Sequence, residues 1–257
     1  MFNFTQIATS IIFTGGIFDI EKLVFLLLAL LSGYSALKHL FHDPEKAIRT
    51  DINVKTLDPE EYGFVYEMVN DLCNKIETPA PVLLFHPHPT ANMAACRTSC
   101  IILYAGIFKY LNKEELRAML AHELVHIKEQ HIKKRLQFQV ASVIITYMLQ
   151  FFRIVFLRGI SGTTQGMIIY AVVAVLMSVI SSFGLTFLLQ RMCRAQELEA
   201  DSFSVLANKD VDSAVSGIKK LNGNMEFTPS QERWRPHPST SKRVAKIEEI
   251  AKTFAPS

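Results

Sequence analysis

The sequence predicts a mainly α-helical membrane protein that carries one small water-facing α+β domain. Charge is spread very unevenly, because between Leu136 and Gln190 only Arg153 and Arg158 are charged. The first 37 residues contain only three charged side chains, whereas the rest of the chain is rich in them. Averaged over the chain, 49% hydrophobic and 20% charged residues would suit a soluble protein. The clustering excludes a freely soluble single domain, and the apolar content excludes disorder.

The N-terminal segment, residues 1–40, is predicted to contain one or two membrane spans. Leu23–Leu37 is strongly apolar but short, because a helix needs roughly 20 apolar residues to cross a bilayer. Residues 1–18 are uncharged and are interrupted by Gly15 and Gly16. Because no Lys or Arg precedes position 20, the segment resembles neither a mitochondrial presequence nor a typical secretory signal.

Residues 136–190 are predicted to form a transmembrane hairpin. The first span is Val140–Leu157, in which Arg153 lies close enough to one end to reach the headgroups. The second is Ile168–Leu189, which is uncharged throughout. Arg158–Met167 is short and rich in Gly, Ser and Thr, so it is expected to be the loop that joins the two helices.

Basic residues predict the orientation of this hairpin. They flank it on both sides, at Lys133, Lys134, Arg135, Arg191 and Arg194. Because Lys and Arg are retained on the cytoplasmic side, residues 41–135 and 191–257 are both expected to face the cytoplasm. Neither segment is long enough for a substantial core of its own, so the two are expected to form one domain.

Net charge and cysteine content say less about function. The net charge of +3 is too small to favour nucleic acid, and no arginine-rich stripe is present, so no nucleic-acid partner is expected. The four cysteines contain no CxxC pair and are expected to be free thiols in a reducing compartment, although Cys96 and Cys100 could be neighbours.

Local signals predict the elements that precede the hairpin. A helix is expected from Asp58 to about Glu77, with Pro59 in its first turn. Three short strands are expected to follow, at Val82–Phe85, Ala91–Cys96 and Cys100–Leu103. His86 and His88 alternate with prolines and are expected in a turn between strands, with a second metal site as the alternative.

A longer helix is expected next. Asn112 is a good N-cap and Glu115 is its capping-box partner. Apolar residues then recur at helical spacing, and no Gly or Pro interrupts the segment through Arg135.

This helix carries the strongest chemical motif, His-Glu-Leu-Val-His at residues 122–126. His122 and His126 are one turn apart, so both imidazoles can reach one zinc ion while Glu123 lies beside its water. Glu123 can then accept the proton of that water as it attacks a carbonyl. The plain alternative is a solvated helix face with two surface histidines. His131 is expected on a different face of the same helix and is not a predicted ligand.

A catalytic zinc needs a third protein ligand, and carboxylates after the hairpin can supply it. Glu197 and Asp201 are four residues apart and would share one helical face. One could bind zinc while the other orients a histidine. Glu199 is equally available on spacing alone, and an ordinary acidic helix start remains the alternative.

The motifs together resemble a known family. The segment LNKEELRAMLAHELVH at residues 111–126, a two-span hairpin and then QELEAD resemble the HtpX-type membrane zinc endopeptidases, relatives of the CAAX prenyl proteases. The resemblance covers roughly residues 50–257 and implies a zincin-like catalytic domain with a small sheet and one zinc per chain. It also implies location in a bacterial inner membrane, with the catalytic domain facing the cytoplasm.

The same resemblance implies roles for individual residues. Glu197 would be the third zinc ligand and Asp201 an acid that supports a ligand, while Glu199 points elsewhere. His237 and Arg243 match the family's HPxxxxR segment. His237 would stabilise the oxyanion as a catalytic residue, and Arg243 would lie near the site. The family's edge strand, which pairs with an extended substrate, corresponds to Asn92, Met93, Ala94 and Ala95.

The expected function is therefore hydrolysis of unfolded or damaged membrane proteins by a zinc endopeptidase in the lipid bilayer. One alternative is a non-peptidase zinc hydrolase, amidase-like or deformylase-like, in which Cys193 would be the third ligand. Another is a catalytically silent scaffold that zinc stabilises. A prenyl-dependent protease is disfavoured, because three or four spans are too few for its intramembrane chamber. The sequence does not indicate an oligomeric state.

Overall fold

The computed structural model describes residues 53–96, 99–157, 163–223 and 225–253. The predicted spans within residues 1–40 lie outside the described residues. The chain folds as a mainly helical structure with one small mixed sheet, as the sequence predicts.

The sheet lies at the start of the described chain. Its strands are β1 (Lys55–Thr56), β2 (Val82–His86), β3 (Met93–Ala95) and β4 (Cys100–Tyr104), in the spatial order β1-β2-β4-β3. β2 and β4 are parallel, and the other two pairs are antiparallel. The three predicted strands are confirmed, whereas β1 is only two residues long and has no pattern of its own in the sequence. β3 pairs only with β4 and is therefore an edge strand.

Helix α1 (Pro59–Ile76) follows β1 and has the predicted start. The Asp58 side chain accepts a hydrogen bond from the backbone of Glu60, and Pro59 occupies the first turn. Buried apolar residues on one face of α1 join the main core. The short helix α2 (Ile107–Tyr110) then leads from the sheet to the helix with the histidine motif.

Helix α3 (Lys113–Lys128) starts as predicted but ends earlier. The capping box between Asn112 and Glu115 is present in both directions. The expectation of one helix through Arg135 is wrong, because Gln130 adopts a left-handed conformation with φ 52° and breaks the helix. Helix α4 (His131–Leu157) begins directly after that turn. Gln130 is not a residue type that marks a break, so the sequence carried no warning of it.

The predicted hairpin region consists of helices whose boundaries differ from the predicted spans. α4 packs against α5 (Thr164–Val179), which continues through a π-helical turn (Ile180–Gly184) into α6 (Leu185–Asn208). The predicted span Ile168–Leu189 therefore crosses the π-helical turn and is shared between helices. Within the described ranges, no individual helix has both the length and the apolar character required to cross a membrane.

The C-terminal part returns to the N-terminal part and completes the core. It comprises the end of α6, then α7 (Val211–Asn222), α8 (Pro229–Glu232) and α9 (Thr240–Ala251). α6 and α7 pack against α3, and α9 packs against α6. Fully buried side chains come from both halves of the chain: Leu57, Leu72, Leu83, Ile101, Leu103, Leu120, Leu124, Ile218 and Ile247. Each contributes roughly 1.5–3 kcal/mol by burial, so the two halves stabilise each other.

The expectation of four free thiols is wrong for two cysteines. Cys96 and Cys100 form a disulfide that joins the end of β3 to the start of β4. The antiparallel pairing explains why they meet, since the backbone N–H of Cys96 also donates to the carbonyl of Cys100 at 2.7 Å. Cys73 and Cys193 are free and buried.

Candidate metal centre

The two histidines of the motif lie side by side on α3. His122 and His126 are both buried, and their Nε2 atoms are 3.1 Å apart. Neither is on a solvated helix face, because α3 is covered by the sheet, by α6 and by α7. Two imidazole nitrogens therefore face one point in the interior.

Helix α6 brings Glu197 to the same point from the other half of the chain. One carboxylate oxygen lies 3.6 Å from Nε2 of His122, and the other lies 3.5 Å from Nε2 of His126. The three residues are all buried, with one ligand atom from each lying within 4.8 Å of the others. Elsewhere in the described ranges, no other cluster of three or more such side chains is arranged to hold a metal ion.

The spacing of this group fits a tetrahedral zinc site. Ligand atoms bound at ~2.0–2.1 Å in a tetrahedron are about 3.4 Å apart, close to the three separations above. Two imidazoles and one carboxylate are also a donor set typical of catalytic zinc. Cys193 is not in the group, and burial raises the pKa of its thiol, which disfavours the thiolate that a metal would need.

Asp201 lies one helical turn beyond Glu197 and is next to His122. Its Oδ1 is 2.9 Å from Nδ1 of His122, although the pair does not have the geometry of a hydrogen bond. Arg243, from α9, donates two hydrogen bonds to the same carboxylate, at 2.7 and 2.6 Å. Both side chains are almost fully buried. The predicted neighbours Asp201 and Arg243 thus form an interior ion pair behind one histidine.

His131 lies behind the other histidine, which the sequence interpretation missed. It is completely buried, with its Nδ1 2.8 Å from Nδ1 of His126 and its Nε2 3.2 Å from Oε2 of Glu199. His131 was expected on a different face because one continuous helix was predicted. The turn at Gln130 redirects the chain and brings the imidazole back toward the site.

Arg135 is a second residue that the motif search missed. Its guanidinium donates to Oε1 of Glu197 at 3.0 Å and to the side-chain oxygen of Gln196 at 2.6 Å. The sequence suggested only a flanking charge for Arg135, because the contact depends on the packing of α4 against α6. It holds one oxygen of the candidate ligand Glu197.

Glu123 connects α3 to the edge strand. The backbone N–H of Ala95 donates to Oε2 of Glu123 at 2.7 Å. Loss of hydration raises the pKa of this carboxyl above its usual range, although the charge of His122 acts in the opposite direction. The expected edge strand and the expected base are therefore in direct contact.

The other three residues of the predicted substrate strand occupy different environments. Met93 is buried in the core, and the carbonyl of Asn92 accepts a hydrogen bond from the backbone of Tyr104. Ala94 is exposed, on the sheet face opposite Met93. One face of β3 is thus anchored in the core, while its outer edge has no partner strand among the described residues.

His237 reaches the group from the segment between α8 and α9. Its Nδ1 is 3.1 Å from Oε2 of Glu197, and about half of its side chain, 52%, is exposed. This makes it the most accessible side chain at the site. The residues predicted to lie around a metal are therefore close together, although they come from three separate parts of the sequence.

Burial and charge set the protonation of these groups. Burial lowers the pKa of His126 to about 2, so its imidazole is neutral, as a metal ligand must be. For His122 burial acts in the same direction, but the contacts with Asp201 and Glu197 outweigh it and raise the pKa to about 9, so this imidazole must release a proton when it binds a metal. Burial would raise the pKa of Glu197, yet its histidine partners hold that carboxyl well below its usual range. Both carboxylates are ionised, since Arg243 lowers the pKa of Asp201 despite its burial.

His86 and His88 form a separate surface cluster. The ring of His86 stacks on Tyr104 at 4.9 Å, and His88 approaches both rings edge-on. Nδ1 of His88 is 2.7 Å from the hydroxyl of Thr90. The two histidines lie at the end of β2 and in the turn after it, and they belong to no metal-binding group in the part of the chain that the structure describes.

Comparison with known proteins places this arrangement in a family. A sequence model described as peptidase family M48 matches residues 60–251, which include every residue of the group. The chain belongs to peptidase family M48. The relatives of this M48 chain include the "Protease HtpX homolog" of Campylobacter hominis, 23% identical over 279 residues, with 97% of this chain and 96% of the relative covered. The protein of the same name from Thermococcus sibiricus is 24% identical, with 82% and 81% covered. The resemblance to HtpX-type proteases is therefore confirmed, and the chain is a metallopeptidase by family.

A solved structure shares the fold of this M48 chain. The crystal structure of S. mikatae Ste24p matches with a TM-score of 0.59 and 14% identity. The match covers 95% of this chain but only 61% of Ste24p, so the chain spans about three fifths of that protein. At this identity the match shows a common fold and leaves function to the site itself.

Proposed function

We propose that this M48 chain is a zinc metalloendopeptidase that cleaves extended segments of unfolded or damaged membrane proteins. The observation that carries the proposal is the contact between Glu123 and the backbone of Ala95, beside the group His122, His126 and Glu197. A carboxylate that can act as a general base, an edge strand and three side chains of the types that bind zinc lie close together. A catalytically silent zinc scaffold would need neither the base nor the edge strand.

In the proposed mechanism each side chain has one task. His122, His126 and Glu197 would hold one zinc ion, which would acidify a water and polarise the scissile carbonyl. Glu123 accepts the proton of the attacking water and delivers it to the leaving amide nitrogen. A raised pKa suits this shuttle, because the carboxyl must both take up and release a proton near neutral pH. His237 donates a hydrogen bond to the oxyanion that develops on the carbonyl.

The edge strand supports a peptide substrate. β3 offers its free edge to an extended chain, and main-chain hydrogen bonds are the same for any sequence. Ala94 and Ala95 have small side chains, so they leave room for the side chains of a bound strand. We expect weak sequence preference and a requirement for unfolded segments.

Cleavage of casein by the purified full chain with one equivalent of zinc tests the mechanism. The Glu123→Gln variant should bind zinc like the unaltered protein but cleave at least ~100-fold more slowly, because no base takes the proton. Glu114→Gln is the matched control, since Glu114 is exposed on the same helix and should cleave normally. Equal cleavage by the Glu123 variant and the control would refute the role given to Glu123.

The proposed location is a lipid bilayer. Support comes from large apolar side chains of α4, α5, the π-helical turn and the start of α6 that are exposed: Ile144, Met148, Phe151, Ile168, Ile169, Val172, Val175, Leu176, Phe183 and Leu188. Large exposed apolar surfaces mark contact with a membrane or a partner. In this proposal residues 136–190 form the membrane hairpin. Residues 1–40 add the N-terminal membrane segment, and residues 41–135 and 191–257 form one catalytic domain outside the bilayer.

Trp234 gives a direct test of this location. It is the only tryptophan of the chain, it is 45% exposed, and its ring contacts Phe183 and Phe187 edge-on. Tryptophan favours the interface between headgroups and hydrocarbon. Its fluorescence in proteoliposomes should be quenched strongly by lipids brominated near the headgroup and weakly by lipids brominated near the chain end. Absence of quenching by both lipids, or stronger quenching by the deep label, would contradict an interfacial position.

We also propose that the catalytic domain faces the cytoplasm of a bacterium, on the basis of the flanking Lys and Arg. The Cys96–Cys100 disulfide opposes this orientation, because disulfides persist mainly in oxidising compartments. Mass-tagging of thiols after acid quenching of intact cells decides between the two. Four tags per chain support the cytoplasmic orientation, and two tags contradict it.

A further inference from the structure

His131 is a buried imidazole to which the proposed mechanism gives no task. It has no exposed surface, yet both of its ring nitrogens have polar partners. One partner is Nδ1 of His126, and the other is the carboxylate of Glu199. A fully buried polar side chain that touches a candidate ligand needs an explanation beyond packing.

The hydrogen bonds determine which nitrogens carry protons. Nε2 of His126 faces His122 and Glu197, so this nitrogen must keep its lone pair for the metal. The proton of His126 is then on Nδ1 and is donated to Nδ1 of His131, at 2.8 Å. His131 accordingly carries its own proton on Nε2, which faces Oε2 of Glu199 at 3.2 Å. Each donor in the chain has one acceptor, and no other assignment leaves the metal-facing nitrogen free.

We propose that His131 is a positioning residue that holds His126 in the tautomer and orientation that bind the metal, and that Glu199 holds His131 in turn. The inference rests on the proposed zinc site, and it concerns how that site is built. A neutral histidine takes the place that a carboxylate or a backbone carbonyl commonly takes behind a metal-bound imidazole.

The two metal-binding histidines are thereby supported in different ways. His122 is backed by Asp201 and Arg243, which are almost fully buried. His126 is backed by a chain that ends at Glu199, whose side chain is 44% exposed. The hydrogen-bonded chain from His126 through His131 to Glu199 therefore connects the proposed metal position to the surface. Its middle member, His131, is the first residue of α4, the helix that leads into the proposed membrane hairpin.

Replacement of His131 distinguishes positioning from packing. His131→Asn keeps an oxygen that can accept the Nδ1 proton of His126, whereas His131→Leu keeps the approximate volume without an acceptor. Zinc affinity of the purified full chain, measured by competition with a chelator, should fall by about 10–100-fold for Leu and by less than about 3-fold for Asn. His88→Leu, at an exposed histidine outside the site, should bind zinc normally.

A second readout does not depend on activity. The visible absorption of the cobalt-substituted protein reports ligand geometry, so it should change for His131→Leu and remain the same for His131→Asn. A role in packing alone would lower the thermal stability of both variants and leave the cobalt spectrum of each unchanged.

Glu199→Ala tests the contact between Glu199 and His131, and it remains informative if His131→Leu does not fold. Because this side chain is nearly half exposed, its loss should leave thermal stability close to normal. Zinc affinity should nevertheless fall by roughly 3–10-fold, a smaller loss than that of a direct partner. Glu249→Ala is the exposed control.

The outcomes separate the two proposals. If the unaltered chain binds no zinc, the proposed function fails. If the unaltered chain binds zinc and either Glu199→Ala or a folded His131→Leu binds it equally well with the same cobalt spectrum, the proposed function survives and the positioning role of His131 is wrong. Equal loss of affinity in the Leu and Asn variants would also overturn that role.

Discussion

Helices α5 and α6 follow one another almost without a break, yet α6 buries polar side chains whereas α5 exposes apolar ones. The backbone remains right-handed and helical through the π-helical turn between them. Along α6 four of the seven buried side chains are polar, namely Gln196, Glu197, Asp201 and Ser204. Along α5 the exposed side chains are largely apolar, such as Val175.

This contrast indicates that the two helices face different surroundings. Buried polar groups are costly unless each has a partner, and the partners of Glu197 and Asp201 come from three other helices. Exposed apolar groups are costly in water, unless a bilayer covers them. Substitutions in the polar interior should therefore destabilise the fold strongly, and substitutions on the apolar exterior should have almost no effect on it. We expect the effect of a substitution to fall from the polar interior to the apolar exterior.

The largest effect is expected from Asp201→Ala. This change leaves the guanidinium of Arg243 buried without its partner, which typically costs about 3–5 kcal/mol. It also removes the carboxylate behind His122. Denaturant unfolding in detergent measures the loss, and Asp212→Ala, at an exposed carboxylate on α7, is the control. A loss of less than about 1 kcal/mol would show that the interior ion pair is not essential to this fold.

Gly106→Ala should come next. A Cβ atom at Gly106 would lie 2.1 Å from the carbonyl oxygen of Pro89, which is backbone and cannot turn away. Either the turn before β3 shifts or the protein is destabilised by about 3 kcal/mol. Gly63→Ala is a matched control, because a Cβ at Gly63 has open space and should stabilise α1 by roughly 0.5–1 kcal/mol. Similar thermal midpoints for the two variants would contradict the predicted crowding.

Glu115→Gln should have a smaller effect that depends on pH. The buried carboxyl accepts hydrogen bonds from Ser216 and Lys220 of α7, at 2.6 and 2.7 Å. Burial would raise the pKa of Glu115, but Lys220 and Ser216 lower it overall. A lowered folded-state pKa means that the carboxylate stabilises the protein above pH ~4.3 and loses this effect as the pH falls through the folded-state value.

The variant should therefore be less stable by about 1–2 kcal/mol at pH 7, after allowance for the partly exposed Lys220. The difference should shrink as the pH is lowered from 7 toward 3. Unfolding curves at both pH values measure it, and a constant difference would contradict the ionic contribution.

The smallest effect on the fold is expected on the apolar exterior. The triple change Ile168→Ser, Val172→Ser and Val175→Ser replaces side chains that are each more than half exposed. Unfolding of the purified protein in detergent should change by less than about 0.5 kcal/mol per site. Extraction from membranes by alkaline carbonate should become easier. A loss of unfolding free energy as large as that of a core substitution would mean that these residues pack against protein. That result would contradict the contrast between α5 and α6.

Local signals in the sequence predicted the first half of the fold well. The capping residues Asp58 and Asn112, the strand at Val82 and the spacing of His122 and His126 depend only on near neighbours. Such features act over a few residues and are therefore visible in a short window of sequence.

Features that depend on distant contacts were harder to predict. Glu197 could be preferred over Glu199 only by family resemblance, because spacing within α6 leaves both available. Arg135 looked like a flanking charge, and its contact with Glu197 needs two helices to pack. The left-handed turn at Gln130 has no Gly or Pro to mark it. Because a continuous helix was predicted instead, His131 was placed on a face away from His126.

Zinc analysis of the purified chain, after Glu197 and Cys193 are replaced separately, gives the sharpest test of the proposed metal site. In that site His122, His126 and Glu197 hold the metal. We expect one zinc per chain in the unaltered protein and in Cys193→Ser, with less than a tenth of that amount in Glu197→Ala. Zinc retained by Glu197→Ala and lost by Cys193→Ser would show that Glu197 is not the ligand and would favour a hydrolase with a cysteine ligand.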